Sequence, residues 1–263
     1  MQTVFSEDGK STLRSRGVVR VALIGYGRMG HLLEQIAVHR GHTIVCRIDL
    51  DNPEAWDSEE LRSADVALEF SVPATAEANV RRALAMGIPV VCGTTGWDVE
   101  KLKQEYAQGE GHGTEQGTGQ NGKNWKEGTP WIWASNFSIG VNLFFAINRH
   151  AAKLMQAWKQ YTPAVEETHH IHKLDKPSGT AKTIAADIEE CGFGAVPVES
   201  IRQGEVAGIH TVTWESGEDT ISLTHNAKSR EGFALGAVIA AEWLQGKRGF
   251  HSMQEVLFGA ADK

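Results

Sequence analysis

Apolar and polar positions divide the chain into two styles of alternation. Val18–Ile24 is a short apolar run, VVRVALI, and reads as a buried strand. Leu32, Leu33, Ile36 and Ala37 then recur at helical spacing, predicting a helix over 31–39 that Gly41 stops. Thr43–Ile48 reads as a second strand, ending at Asp49. Asp65–Phe70 (DVALEF) is a further buried-type strand, broken by Ser71-Val72-Pro73 and followed by a helix over 75–86 ending at Gly87. Ile88–Cys92 is the next strand, and Asp98 is placed to cap a helix running to about Gln108. Strands alternating with helices predict a mostly parallel sheet with right-handed crossovers.

The pattern changes at Gln108–Thr129, which is glycine-rich, polar and without apolar period, and is expected to be a mobile surface insertion. Trp131–Ala134 reads as a short strand, Ser135–Gly140 as a crossing, and Val141–Gln156 as a long helix with a broad apolar face. Beyond it, strands are expected at Thr162–His172, Ser200–Arg202, Ile209–Trp214 and Thr220–His225, with a helix over Ala181–Glu190 between the first two. Glu231–Leu244, rich in Ala and Gly, suits a closely packed helix, and a final short helix near Ser252–Phe258 is expected to return to the first part. The chain is therefore expected to be α/β: a Rossmann-type parallel-sheet domain over 1–138, completed by 230–263, with a second α+β substrate and oligomerisation domain over 139–229. Hinges are expected near Ser135–Gly140 and Ser229–Glu231.

Chemistry first changes the picture at the N-terminal strand. It runs into GYGRMG, that is Gly25, Tyr26, Gly27, Arg28, Met29 and Gly30, and the following helix and strand end at an acid, Asp49. Strand, glycine turn, helix, strand and acid come in the order a dinucleotide site needs. The first glycine permits the tight turn, the second lets backbone approach a pyrophosphate, and the third lets the helix pack on the strand. Asp49 is placed for the adenosine ribose hydroxyls. Ligands of such sheets lie beyond the carboxyl ends of the strands, so Phe70, Ser71, Gly93, Thr94 and Thr95 are expected to line the same crevice, with Ser135, Asn136 and Phe137 completing it. NADH or NADPH is the expected cofactor. NADH is favoured because a carboxylate at position 49 repels a 2′-phosphate and Leu50, not an arginine, follows it.

The second concentration of chemistry is EETHHIHKLDKPSGTAKT, Glu166–Thr183. Three histidines, two lysines and an acid fall within eight residues, beside a turn and a helix start. Proton donors so placed suit an anionic substrate that must be held and protonated. Ser178, Gly179 and Thr180 are expected at a helix N-terminus able to bind a carboxylate through unpaired N–H groups. Lys176, on the same anion-binding loop, is also expected to bind substrate. No cysteine or acid at ligand spacing accompanies the histidines, so no metal is expected. Arg230 is expected to form an ion pair between the domains.

Composition narrows the classes. The 263 residues suffice for one large or two ordinary domains. A net charge of −7 gives no general attraction to nucleic acid or anionic membrane. Three cysteines without metal or redox spacing suit a reducing cytoplasm, and no apolar run approaches a membrane span. Residues 1–17 lack the apolar centre of a signal peptide and are expected to be a flexible lead-in.

The motifs GYGRMG, VVCGTTGW, ASNFSIGVN, ETHHIHKLDKPSGTA and HNAKSREGFALGA, in that order, resemble the 4-hydroxy-tetrahydrodipicolinate reductases (dihydrodipicolinate reductases) of lysine and diaminopimelate synthesis. The Gly-rich insertion and Ile209, where an acid is common, depart from that pattern. The resemblance implies nicotinamide-dependent reduction of a cyclic dicarboxylate with loss of water, and a homotetramer formed through the second sheet. It implies that His169 is the general acid/base, Lys173 a second proton donor, His170 a substrate-carboxylate contact, and Gly179 and Thr180 the other carboxylate site. Strand parity puts 169, 171 and 173 on one face, which agrees with the first pair. A redox-sensing regulator would not need both His169 and Lys173. A semialdehyde dehydrogenase would need a catalytic cysteine or a different lysine motif.

Overall fold

The computed structural model describes residues 17–108 and 128–259, so the expected lead-in up to residue 16 and the Gly-rich insertion over 109–127 lie outside the described residues. Six parallel strands form the first sheet: β1 (Arg20–Ile24), β2 (Thr43–Ile48), β3 (Val66–Glu69), β4 (Val90–Cys92), β5 (Trp131–Trp133) and β10 (Phe250–His251). Their order is β10-β5-β4-β3-β1-β2. Strand order along the sheet reverses between β1 and β3, the switch point at which a doubly wound sheet opens a crevice.

Alternation sends side chains of one strand to opposite faces. Val21 and Leu23 enter a core with Leu33 and Ala37 of α1 (Arg28–His39) and with Ala237, Val238 and Ala241 of α7 (Glu231–Leu244). Ala22 and Ile24 enter another with Val80, Ala83 and Leu84 of α3 (Pro73–Ala85) and Leu102 of α4 (Val99–Ala107). Both faces are thus covered, as a parallel sheet requires. The α2 turn (Glu59–Arg62) and the 3-10 turn Pro53–Asp57 were not legible in the pattern; their Trp56 and Leu61 cap the second core.

The second sheet joins β6 (Thr162–His169), β7 (Val198–Arg202), β8 (Ile209–Glu215) and β9 (Thr220–Asn226) in the order β7-β6-β8-β9. Only the β6–β7 pair is parallel. Helices α5 (Ile139–Met155) and α6 (Gly179–Glu189) lie on one face, where Phe144, Phe145, Ile184 and Ile188 meet Val165, Val212 and Trp214. Helix α7 carries the chain back to the first sheet, and α8 (Met253–Phe258) follows β10. Gly236 of α7 sits so close to the α5 approach that an added Cβ would lie 1.8 Å from the Phe137 carbonyl oxygen. At the other end of α7, Glu242 binds Arg40 at 2.6 and 2.8 Å and His42 at 2.7 Å, fastening it to the end of α1.

Four helices begin earlier than apolar spacing predicts, among them α3 at Pro73 and α5 at Ile139. Helix α1 starts at Arg28, with Gly27 as its cap, and α6 starts at Gly179, with Ser178 as its cap. Caps precede the first buried side chain, so periodicity alone finds the second turn. Strand β6 ends at His169, three residues short of the expected end, because Lys173 N–H turns back to the His170 carbonyl. Lys173 therefore reaches its place through a turn, not by sharing a strand face with His169.

Candidate active site

Cavities of about 430 and 610 Å³ lie between the two sheets and share His169, Thr180, Thr95, Asn136, Ala207, Arg230 and Phe233 in their walls. A third, of about 310 Å³, runs past the glycine turn. It is lined by Gly25, Gly27, Asp49, Leu50, Trp56, Phe70, Ser71, Thr75 and Asn79.

The glycine turn fits a dinucleotide. Gly25 has φ +87°, and a Cβ there would lie 2.5 Å from the Phe70 carbonyl oxygen. A Cβ on Gly30 would lie 2.5 Å from the Gly25 carbonyl oxygen, so the third glycine permits the helix–turn contact. Gly27 faces open space, and α1 begins there with no side-chain cap and no acid in its first turn. Its first N–H groups and partial positive charge are therefore open to an anion. Asp49 accepts from Tyr26 N–H at 3.1 Å, which places its carboxylate beside the turn. Arg28 is exposed at the helix start and Met29 lines the central cavity. The Thr94 carbonyl accepts from the Trp97 and Trp133 indoles at 2.8 and 2.9 Å, holding the Gly93-Thr94-Thr95 wall in place.

Some expected cofactor contacts have another use. Phe137 is fully buried, packed on Phe70 and Phe233, so its side chain belongs to the core. The Tyr26 hydroxyl bonds Glu34 and its ring stacks on His31. Ser135 and Asn136 do line the crevice, and Asn136 Nδ2 donates to Thr180 Oγ1 at 3.2 Å, a direct link between the two halves.

On the facing wall, His169 ends β6 with its ring buried. Its Nδ1 is 3.3 Å from Oε2 of Glu167, and its Nε2 would lie 3.0 Å from a Cβ on Gly208, a cavity-lining residue at φ +154°. Burial pushes the imidazole below its ordinary value; Glu167 opposes that, while Lys173 and Arg202 reinforce it. Lys173 binds Asp175 at 2.7 Å, and both line the outer cavity with His170. Burial works against the Asp175 anion, but Lys173 holds its carboxyl below the ordinary value.

Helix α6 points its N-terminus at the same space. Ser178 is buried; its N–H donates to Glu167 at 3.0 Å and its hydroxyl accepts from Ala181 N–H at 3.1 Å. Both polar groups are thus engaged within the protein, and Ser178 serves as the cap. The Gly179 and Thr180 N–H groups have no partner among the described residues and face the cavity. Lys176 is exposed and outside all these walls, and His172 is an exposed partner of Glu205 at 3.2 Å.

Residue spacing did not reveal Glu167, Arg202, His210 or the true place of Arg230. Arg230 makes no ion pair among the described residues, contrary to expectation, and lines both central cavities. Burial pushes His210 down to about 4, with His169 adding to the effect. Burial alone would raise the Glu167 carboxyl, but donors including Ser178 and Arg202 outweigh it and hold it at about 2. Among the described residues, Glu167, His169 and His210 are the group with donor atoms at metal-ligating spacing. Arg202 already stands 3.1 Å from Glu167 Oε1, and Ser178 Oγ 3.3 Å from His210 Nε2, an arrangement that disfavours a dication.

Comparison with known proteins shows the family. The family model "Dihydrodipicolinate reductase, N-terminus" matches residues 19–108, and "Dihydrodipicolinate reductase, C-terminus" matches 140–257. The 4-hydroxy-tetrahydrodipicolinate reductase of Christiangramia forsetii is 42% identical over 253 residues, 91% of this chain and 98% of that protein. That of Archaeoglobus fulgidus is 36% identical over 279 residues, 91% of this chain and all of that protein. In fold, the chain resembles the dipicolinate-bound dihydrodipicolinate reductase of Paenisporosarcina sp. TG-14, with a TM-score of 0.69 at 22% identity, covering 92% of this chain and all of that one.

Proposed function

The chain belongs to the dihydrodipicolinate reductase family, and from that premise we propose that it reduces 4-hydroxy-tetrahydrodipicolinate to tetrahydrodipicolinate, with loss of water, in lysine and diaminopimelate synthesis. The observation that carries this reading is one crevice with an open glycine turn on one wall and His169, Lys173 and the free α6 N-terminus on the other.

A nicotinamide dinucleotide supplies the hydride. The chain's own residues bind, orient and protonate. Gly25, Gly27 and the first turn of α1 hold the pyrophosphate, Asp49 the adenosine ribose, and Phe70, Ser71 and Gly93–Thr95 the wall towards the nicotinamide. The Gly179 and Thr180 N–H groups donate to one substrate carboxylate, and His170 contacts the other. Loss of the ring hydroxyl with a neighbouring ring proton, as water, leaves a conjugated imine; hydride addition to it leaves negative charge on the ring, and His169 with Lys173 would supply the proton that quenches it. The reading also places a homotetramer contact on the second sheet.

NADH is the favoured reductant. Asp49 repels a 2′-phosphate, Leu50 follows it, and the nearby Arg47 is held by Glu34 at 2.9 Å through Nε, with a second bond through Nη2. Following absorbance at the nicotinamide band, with freshly prepared substrate and each cofactor in turn, tests both statements. No oxidation by folded protein overturns the function; a strong NADPH preference in kcat/KM overturns the role given to Asp49.

A further inference from the structure

We propose that Glu167 is a positioning residue of the reductase, the counter-ion that keeps His169 able to carry its proton while the same carboxylate anchors the N-terminus of α6. The proposal rests on His169 as the proton donor.

Glu167 and His169 are two residues apart on β6 and so share a face. Both are buried, Glu167 fully. The two carboxylate oxygens do different things. Oε1 accepts from Ser178 N–H at 3.0 Å and from Arg202 Nη2 at 3.1 Å. Oε2 lies 3.3 Å from His169 Nδ1 and 3.8 Å from His210 Nε2, without hydrogen-bond geometry to either. Neither Oε2 nor His169 Nδ1 makes a hydrogen bond among the described residues, while the Ser200 hydroxyl, beside Glu167 on β7, also favours the carboxylate charge. A small rotation of the ring turns this contact into a hydrogen bond, with Nδ1–H donating to the carboxylate and Nε2 directed at the cavity.

The charges around His169 explain why it needs this partner. Lys173 and Asp175 face it from the turn after β6, Arg202 from β7, His210 from β8 with His225 beyond on β9, and Arg230 stands across the cavity at the start of α7. Asp175 is already paired with Lys173. Burial and the remaining cations oppose an imidazolium, and Glu167 is the strongest group acting in its favour. Without it the imidazolium loses its strongest support, and the ring holds its proton more weakly still. Arg202 in turn keeps Glu167 anionic and fixes which oxygen faces His169. Because Ser178 caps α6 from the same carboxylate, the proton donor and the substrate-carboxylate site share one buried anchor, and a change at either is felt at the other.

The test is an imidazole NMR titration of His169 in the full chain, its resonance assigned by its loss in H169Q. In E167Q the midpoint should fall by about one pH unit or more, the usual effect of removing an opposite charge at this range. The descending limb of kcat/KM at saturating NADH should move the same way. E167D, which keeps the charge but withdraws it by one methylene, should give a smaller fall; should E167Q not fold, E167D reads the same quantity. A variant midpoint coincident with wild type overturns the proposal. H169Q separates the two readings: if H169Q retains wild-type turnover, the assignment of His169 fails, whereas an inactive H169Q with an unmoved E167Q midpoint sinks only the role of Glu167.

Discussion

At the residue scale the site depends on a few groups whose environments differ sharply from water. H169Q and K173A should each lower turnover on the order of 10²-fold or more, the usual size of a lost general acid. NADH affinity, read by fluorescence titration, should barely change, since the glycine turn lies on the other wall. Asp187 offers a stability test outside the chemistry. Burial pushes its carboxyl up to about 6, only partly relieved by Arg149 at 3.4 Å. An acid whose folded value is raised binds its proton more tightly when folded. Its burden on stability is therefore absent below the ordinary value near 3.8, grows as pH rises, and is complete above about 6. D187N should stabilise the protein by on the order of 1–2 kcal/mol at pH 7.5 and by little at pH 3.5, as denaturant midpoints at the two pH values would show. Equal gains at both would refute the buried-acid explanation.

At the element scale, what matters is where strands and helices end. Strand β6 stops at His169, and the turn that follows brings His170, Lys173 and Asp175 to the outer cavity. Helix α6 starts at a serine cap whose own groups are used internally, leaving the next two N–H groups for a ligand. Helix α7 contributes close packing. At Gly236 any side chain would meet the backbone of the α5 approach, so G236A should cost about 3 kcal/mol or more, above ordinary overpacking because backbone must move. A melting curve within a degree of wild type would show that the Phe137 segment yields freely.

At the scale of the whole molecule, the glycine turn and His169 stand on different walls of one crevice, bridged by the Asn136–Thr180 bond. Binding both ligands should close the halves about 135–140 and 229–231. Small-angle scattering should record a smaller radius of gyration with cofactor and a dicarboxylate analogue together than with neither. An unchanged profile under saturating ligands would argue for a preformed site.

The alternation of strands and helices, the glycine turn with its acid, and the HHIHKLDKPSGT cluster are local patterns, and each was legible because its signal lies within a few consecutive residues. The two sheets, the return of α7 and β10 to the first of them, and the crevice itself follow from where those patterns fall. Glu167, Arg202 and His210 were not legible. Each is an ordinary residue on its own strand and becomes part of the site only because β6 lies between β7 and β8, which brings a guanidinium and an imidazole to one buried carboxylate. Phe137 and Ser178 were assigned to ligands from their motifs, but the packing of Phe70 and Phe233, and the need to cap α6, give them structural work. Sequence determines which chemistry is present because chemistry is carried by residue type. Tertiary structure decides which groups share it, because burial, charge and hydrogen bonding are set by neighbours that the chain brings together only on folding.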